Sequence, residues 1–507
     1  MDCFKRKIAK KYCLPVLKTS QLLSIYHEFS AKKAKGSFPL PLLEKALIKR
    51  PVRSLSGIVN VSVLTKPYPC PGKCIFCPSQ KNIPKSYLAG EPAVQRAIAN
   101  NFSPSKQVAM RLKSLQATGH PIDKVELRII GGTWSYYPKT YQEKFIAQCF
   151  GACNNFPRAS KALGAIQLKN EKAKCRIVGI AVETRPDYIN PKEIQQMRVL
   201  GITKVELGVQ AIDDKILKLN QRGHSVKDIA TATQLLKNAG FKVSYQMMPG
   251  LYGSTPKKDL TMFKEIFNNP NFKPDYLKIY PLALIKNTKL YNLYKQGKFK
   301  PYTEKQLIKL LIEIKKIIPC WVRVERIIRD IPPKDIVEGG SKLLNMREVV
   351  QKEMAKNNIA CKCVRCREVG DSYDNKEKIY LFKQEYEASA DAKNLADKSN
   401  NKEIFLSFEN KAKAKLYGLL RLRIINNLAM VRELHVYGQM AKISTGLTSE
   451  TAQHSGLGKK LMLEAERIAK QNNCKNLAVI SGVGVRGYYR KLGYKLQNTY
   501  MIKKEKK

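Results

Sequence analysis

Cys70-Pro71-Gly72-Lys73-Cys74-Ile75-Phe76-Cys77 places three thiols at the spacing C-x3-C-x2-C, on a loop that follows the apolar run Val59 to Leu64. Three thiolates on one short loop suit three irons of a 4Fe-4S cluster and leave the fourth iron open to an exogenous ligand. That open iron is where one-electron chemistry on a chelating cofactor becomes feasible. A structural zinc loop is the competing reading, but it calls for a fourth ligand, and no nearby Cys or His supplies one. Cys70, Cys74 and Cys77 are therefore the expected ligands of a cluster.

A second chemistry-bearing stretch lies near the other end of the chain. Gln453-His454-Ser455-Gly456-Leu457-Gly458 fits Q-x-x-G-x-G and leads into an amphipathic helix predicted over Lys459 to Gln471. Backbone N–H groups at a glycine-rich helix start bind pyrophosphate. Val431 to Tyr437 precedes it as a strand, and Gly487 to Tyr494 follows it with a tyrosine-bearing helix. His435 and Tyr489 stand out there, although lone histidines and aromatics are more often packing residues.

Both stretches need a scaffold. Between Ile58 and about Pro333, short apolar runs alternate with helical patterns: residues 124–130, 176–182, 204–209 and 276–280 read as strands. Strands separated by helices predict repeated βα units and a parallel sheet or barrel. Ligands of such sheets gather at the carboxyl ends of the strands. This position raises the weight of Gly131-Gly132-Thr133, of Glu183 to Asp187, of Gln210 and of Met247 to Gly250, each of which would otherwise pass as an ordinary turn. Beyond about residue 375, strand-like segments at 379–382 and 419–424 and a polar stretch at 388–402, read as a loop, begin a second α/β domain. The expected organisation is a basic arm over 1–55, a first domain over 56–333, a connector over 334–375 and a second domain over 376–507.

Composition narrows the partner. Ninety-two Lys and Arg against 41 Asp and Glu leave a net charge of +51, which points to a polyanion such as nucleic acid. A lysine-rich proteome is the bland alternative, and for the N-terminal arm a solvated extension without a ligand is equally compatible with the charge. No apolar run is long enough to span a membrane, and residues 1–7 lack a secretory signal, so a cytoplasmic address is expected. Thirteen cysteines in such a chain argue for metal or catalytic use rather than disulfides.

With these two centres in one chain and in this order, the sequence resembles Elongator protein 3, the catalytic subunit of Elongator, over nearly its whole length. The segments carrying the likeness include Thr65 to Cys70, Tyr87 to Pro92, Ile130 to Thr133, Val182 to Asp187, Asn220 to His224, Arg329 to Pro332, Val431 to Gly438 and Val479 to Gly484. The resemblance implies a radical S-adenosylmethionine domain with a partial TIM-like (βα) barrel, followed by a GNAT acetyltransferase domain. It implies carboxymethyluridine synthesis at the wobble position of the tRNA anticodon stem-loop: a deoxyadenosyl radical takes hydrogen from the acetyl methyl of acetyl-CoA, the carbon radical adds to C5 of uracil, and thioester hydrolysis leaves a carboxymethyl group. The residues carried over are Cys70, Cys74 and Cys77 for the cluster; Gly131, Gly132, Thr133, Glu183 and Gln210, flagged by their place at the strand ends, are the further cofactor-binding candidates. Acetyl-CoA falls to Lys124, Glu433, Leu434, His435, Val436, Leu457, Gly458, Lys459 and Tyr489, of which Lys124, His435 and Tyr489 are the catalytic candidates. Without the resemblance, Lys124 would read as a solvated surface lysine.

The likeness departs at Glu325, where the family has a tyrosine, and in a shorter gap between the first two cluster cysteines, which matches the wider radical superfamily. Cys361, Cys363 and Cys366 resemble a linker zinc site of some members; tetrahedral zinc needs a fourth ligand, for which Cys320 is a candidate, and buried free thiols are the alternative. The electron donor is left open, as is a homodimer. A protein lysine acetyltransferase using the second domain alone is the competing function, and it leaves the cluster without a purpose. A scaffold with decayed centres is disfavoured because both ligand sets are intact.

Overall fold

Lys124-Val125-Glu126-Leu127-Arg128-Ile129-Ile130 alternates charged with apolar residues, the period of a strand whose faces meet different surroundings. The computed structural model describes residues 2–13, 15–32, 47–48, 54–155, 162–340, 342–343, 345–370, 373–374, 376–387, 401–438 and 456–504. In it Val125, Leu127 and Ile129 point outward into the core that also holds Phe145 and Ile146 of the helix Lys139–Cys153, while Lys124, Glu126 and Arg128 line an interior cavity.

The same division recurs along the first sheet. It contains β1 (Val59–Leu64), β2 (Lys124–Ile130), β3 (Arg176–Thr184), β4 (Lys204–Gln210), β5 (Lys242–Met247), β6 (Tyr276–Ile279) and β8 (Arg323–Arg326), in that order. All pair in parallel, with Val59 opposite Val125 and Leu64 opposite Ile130. The short strand β7 (Ala283–Ile285) pairs instead with β9 (Ile336–Gly339) in a separate ribbon. Helices start where caps allow: Ser225 and Asp228 form a capping box ahead of Val226–Asn238, which satisfies two otherwise unpaired N–H groups.

Seven strands leave the barrel open between β1 and β8, and the gap is closed in two ways. At the carboxyl ends, Arg329 ion-pairs with Glu91 at 2.7 Å and donates to Ser86 O at 2.5 Å. A side chain at Gly90 would meet Pro332 at 2.9 Å, so the segment after the cysteine loop lies flat against the one after β8. At the amino ends, the second domain spans the gap: His435 meets Ser56 O at 2.7 Å and Arg323 donates to the Tyr437 hydroxyl at 3.2 Å.

The second domain is a sheet ordered β10 (Ile379–Glu387), β11 (Lys402–Asn410), β12 (Leu416–Ile425), β13 (Leu428–Val436), β14 (Asn476–Val479), β16 (Tyr500–Lys504), β15 (Lys495–Gln497). Asn426 and Asn427, both at positive φ, make the two-residue turn that joins β12 to β13. The helix Leu457–Gln471 buries Leu461, Ala465 and Ile468 on the domain. It begins two residues before the predicted Lys459, because Gly456 at φ +73° caps it and Lys460 N already donates to Gly456 O.

The domains meet through buried charge. Arg432 grips Asp275 with both terminal nitrogens (2.5 and 2.8 Å) and reaches Glu403 at 3.0 Å; Arg421 pairs with Glu433 at 2.7 Å and donates to Trp321 O at 2.7 Å. Gly482 lies so close to β3 that a Cβ there would be 2.0 Å from Val178 O. The stretch expected as a connector packs on the first domain: Met346, Val350 and Cys363 enter the main core and Val364 N donates to Val322 O at 3.0 Å. Of the N-terminal arm, the helices Asp2–Lys11 and Thr19–Lys32 are described; 33–46 and 49–53 lie outside the described residues, as does nearly all of the loop expected over 388–402. Among the described residues no helix is long and apolar enough to cross a membrane.

Candidate active site

At the carboxyl end of β1, the loop bearing Cys70, Cys74 and Cys77 is fixed from both sides, since Ile75 N donates to Asn220 O (3.2 Å) and Ile75 O accepts from Leu290 N (2.9 Å). Burial, and next the charge of Cys74, push the Cys77 thiol up to about 11, so a bound cation is needed to keep it a thiolate at neutral pH. Thr133 Oγ1 lies 3.8 Å from Cys70 Sγ. Gly131, at φ +114°, has no room for a side chain, because a Cβ would sit 2.4 Å from Thr65 Oγ1. Gln210 closes β4 at φ +72°, a conformation few non-glycine residues adopt and one that concentrates at ligand sites. Arg185 pairs with Asp187 at 2.8 Å, yet its Nη1 is buried without a partner beside Gly72. Three thiols, a glycine backbone stripped of Cβ atoms and an orphaned guanidinium nitrogen are a donor set that fits an iron–sulfur cluster with a chelating, carboxylate-bearing cofactor.

Below this end, the barrel interior is ionic. Arg128 reaches Glu183 at 3.3 Å and Glu206 at 3.1 Å; Lys204 bridges Glu126 (3.1 Å) and Glu325 (2.9 Å); Lys278 contacts Glu206. Burial works against ionising Glu206, but Arg128 and then Lys278 draw it down to about 2. Glu183 is held by three donors, accepting also from Tyr87 at 2.8 Å and Gln246 at 3.1 Å. The predicted strands were legible as apolar runs, and Glu183 and Glu325 had been singled out, but Glu126, Arg128, Lys204, Glu206 and Lys278 were missed. The signal was the charge at every second position of Lys124 to Arg128 and at Lys204 and Glu206.

The GNAT-like end opens where β13 and β14 part. They pair only from Ala429–Val431 to Leu477–Val479, after which Glu433 to Val436 face the cavity. Glu433 keeps its carboxylate for Arg421 and Tyr276; burial opposes the charge but Arg421 brings it down to about 2. His435 stacks on Tyr437, and burial lowers its pKa to about 4. Because Ser56 O can only accept, the neutral ring carries its proton on Nε2 and leaves Nδ1 as an acceptor. Gly458, within the first turn after Gly456, sits where a Cβ would be 3.0 Å from the Tyr488 hydroxyl. Leu457 is buried, so only its backbone can meet a ligand, whereas Lys459 is exposed. Tyr489 is buried edge-on to Tyr488 and Tyr494. Gln453, His454 and Ser455 lie outside the described residues.

One cavity of about 1960 Å3 is lined by Cys70, Cys74 and Cys77 at one end and by Gly456, Gly458 and Tyr489 at the other. Lys124 lines it too, and burial pulls its pKa below the usual lysine value. It opens β2 while Gly131 follows the strand's end, seven steps of roughly 3.3 Å away, or about 23 Å. Lys124 therefore belongs to the GNAT end, and Gly131 to Thr133 to the cluster end.

Residues 68–266 match the Radical SAM superfamily, residues 274–356 the Radical SAM C-terminal domain and residues 371–494 the Acetyltransferase (GNAT) family. The chain is 47% identical over 484 residues to the tRNA uridine(34) acetyltransferase of Methanocaldococcus infernus, covering 91% of this chain and 88% of that protein. It is 36% identical over 488 residues to the Elongator complex protein 3 of Homo sapiens, covering 91% and 87%. The chain belongs to the Elongator protein 3 family. A solved structure of a family member, the archaeal Methanocaldococcus infernus Elp3 with residues 1–46 deleted, superposes with a TM-score of 0.76 at 43% identity, covering 89% of this chain and all of that one.

Cys361, Cys363 and Cys366 form a separate group, their sulfurs within 4.8 Å of one another. Cys320, one candidate for a fourth ligand, does not join it: its thiol donates to Gln384 Oε1 at 2.6 Å. Instead Lys315 Nζ stands 3.6 Å from Cys366 Sγ. Cys320 directly precedes Trp321, which stacks on Tyr386 of β10, and this turns its side chain toward the second domain.

Proposed function

We propose that this chain is a tRNA uridine(34) acetyltransferase that builds a carboxymethyl group on C5 of the wobble uridine, with acetyl-CoA as carbon source and S-adenosylmethionine as radical source. The single observation that carries this reading is the continuous cavity between the cysteine loop and the GNAT phosphate loop. An enzyme acetylating lysine from the second domain alone has no use for that connection. The names borne by the relatives at 47% and 46% identity support the same substrate.

When bound, a 4Fe-4S cluster together with S-adenosylmethionine would supply one-electron reductive cleavage of the sulfonium. Cys70, Cys74 and Cys77 would hold the cluster, and Gly131, Gly132, Thr133 and Gln210 would let the cofactor approach the strand ends. Glu183, fixed by Tyr87, Gln246 and Arg128, presents a carboxylate for the cofactor's hydroxyl or amino groups. The unpaired N–H groups of Leu457, Gly458 and Lys459 bind the pyrophosphate of CoA. Glu433 to Val436, on the part of β13 beyond its pairing with β14, line the cavity where the pantetheine arm would lie with the acetyl group directed into the barrel. Lys124 and Tyr489 face that arm from the cavity wall. His435, neutral with Nδ1 free to accept, is the base that draws a proton from water for thioester hydrolysis. A wobble base lies in a loop and turns into a pocket without breaking a duplex. Exposed Arg6, Lys7, Lys10 and Lys11 on the first helix supply phosphate contacts. Cys361, Cys363 and Cys366 would bind zinc, because Zn–S bonds of about 2.3 Å bring sulfurs roughly 3.8 Å apart, within the spacing of this group.

Nucleoside mass spectrometry of tRNA after anaerobic incubation with reconstituted protein and both cofactors tests the reading. The wild type is expected to yield the 5-carboxymethyl nucleoside and Cys74→Ala none. Modified lysine peptides with unmodified tRNA would instead assign the activity to the second domain alone.

A further inference from the structure

Arg222 takes no part in the mechanism above, yet it is among the most constrained side chains near the cluster. It is only 7% exposed. Nη1 donates to Cys74 Sγ at 3.1 Å and Nη2 to Gly208 O, at the end of β4, at 2.6 Å; Nε is buried without a partner. The backbone beneath it is equally fixed. Arg222 N donates to Leu217 O, Asn220 Nδ2 donates to Ile216 O (2.8 Å) and Tyr252 O (2.9 Å), and Asn220 O holds the cluster loop through Ile75 N. A side chain at Gly208 would come within 3.2 Å of Nη2, so glycine there makes room for the guanidinium.

The charge on Arg222 needs an explanation. The other buried guanidinium beside this loop, Arg185, is neutralised by Asp187. Among the described residues no carboxylate pairs with Arg222, and a buried cation without an anion is costly. Among the described residues, the anionic group in hydrogen-bond reach is the thiolate that Cys74 becomes on binding iron. Hydrogen bonds and positive charge at a ligating sulfur favour the more negative, reduced state of a cluster and raise its reduction potential.

We infer that Arg222 is the buried counter-cation of the iron–sulfur centre, and that its hydrogen bond to Cys74 sets the potential at which the centre accepts an electron. It is a positioning residue acting through Cys74, and the inference rests on the cluster assignment made above. The electron itself comes from an external low-potential donor and adds to the cluster without breaking a bond.

The test is an EPR-monitored redox titration with dithionite on full-length, anaerobically reconstituted protein, without S-adenosylmethionine or tRNA. Arg222→Gln is expected to hold iron and to show a midpoint potential clearly more negative than wild type, with Arg222→Lys between the two. An unshifted potential in Arg222→Gln at full iron content overturns the inference. So does an unshifted potential with weakened S-adenosylmethionine binding, which would make Arg222 a carboxylate clamp. Should Arg222→Gln lose its iron, Arg222→Lys decides: a lowered potential supports the role and a wild-type potential overturns it. A wild type that takes up no cluster would instead strike the proposed function.

Discussion

Asp275→Asn is expected to loosen the junction between the two domains. Asp275 is fully buried; Oδ1 accepts from Arg432 at 2.5 Å, and Oδ2 accepts from Arg432 at 2.8 Å and from Val243 N at 2.9 Å. Arg421, Arg423, Arg432 and Lys237 face Asp275, Glu403 and Glu433, four cations against three anions, so the substitution doubles the buried excess from one positive charge to two. It also turns an amide N–H toward a guanidinium that can only donate. Removing one partner of a buried pair costs about 3–5 kcal/mol, whereas an exposed pair such as Lys316 with Glu313 is worth about 0.5 kcal/mol or less. Thermal unfolding followed by tryptophan fluorescence reads the loss, since Trp321 lies at this junction and its carbonyl accepts from Arg421. With about 2.1 cal/mol/K of unfolding entropy per residue over 507 residues, a fall in Tm of about 3–5 °C is expected at pH 7. Burial disfavours the charged form of Asp275, but Arg432, then Lys237 and Arg421, hold it well below the usual carboxylate range. A depressed carboxylate contributes stability that is present above its unfolded value of about 4 and is lost as pH falls further. The gap between wild type and variant should therefore be constant from pH 7 to 5 and narrow below about pH 4. A variant within about 1 kcal/mol of wild type at pH 7 would refute the assignment of this pair as a buried, unscreened contact.

Four further outcomes follow from the site and from the second cysteine group. Gly131→Ala forces a Cβ to 2.4 Å from Thr65 Oγ1 at φ +114°, so release of 5'-deoxyadenosine should fall by about tenfold or more while the iron–sulfur absorbance stays. His435, brought to about 4 by burial, remains a neutral base far below the ordinary histidine value, so acetyl-CoA hydrolysis should hold its rate from pH 8 to near 5; a half-maximal point near 6.5 would remove it as the base. Its replacement in His435→Gln should slow hydrolysis by about 10²-fold or more and leave sulfonium cleavage intact. Metal analysis should show zinc lost from Cys363→Ser and kept in Cys320→Ser, because Cys320 turns away to Gln384; zinc lost from both would restore Cys320 as a ligand.

Much of the site was readable from spacing. The thiols at Cys70, Cys74 and Cys77 and the glycines at Gly456 and Gly458 announce their chemistry because a loop or helix start brings near neighbours in the chain together whatever the fold around them. The strands were readable for the same reason, since alternation in Lys124 to Arg128 is local. Local pattern failed where partners lie far apart. Lys204 and Glu325, 121 residues apart, meet only because β4 and β8 curve round one interior. Cys320 was a candidate to complete a metal site and is turned away by the packing of Trp321 on Tyr386.

The amino-acid order by itself determined the local groups from which the chemistry is read: three closely spaced thiols, a glycine-rich helix start and an excess of positive charge. Only the tertiary structure decided that these chemistries share one space. The second domain closes the amino-terminal gap of an open barrel, and the ion pairs of Arg432 and Arg421 hold it there. A cavity joining residues more than 380 positions apart, such as Cys70 and Gly456, depends on long-range contacts that no local pattern encodes.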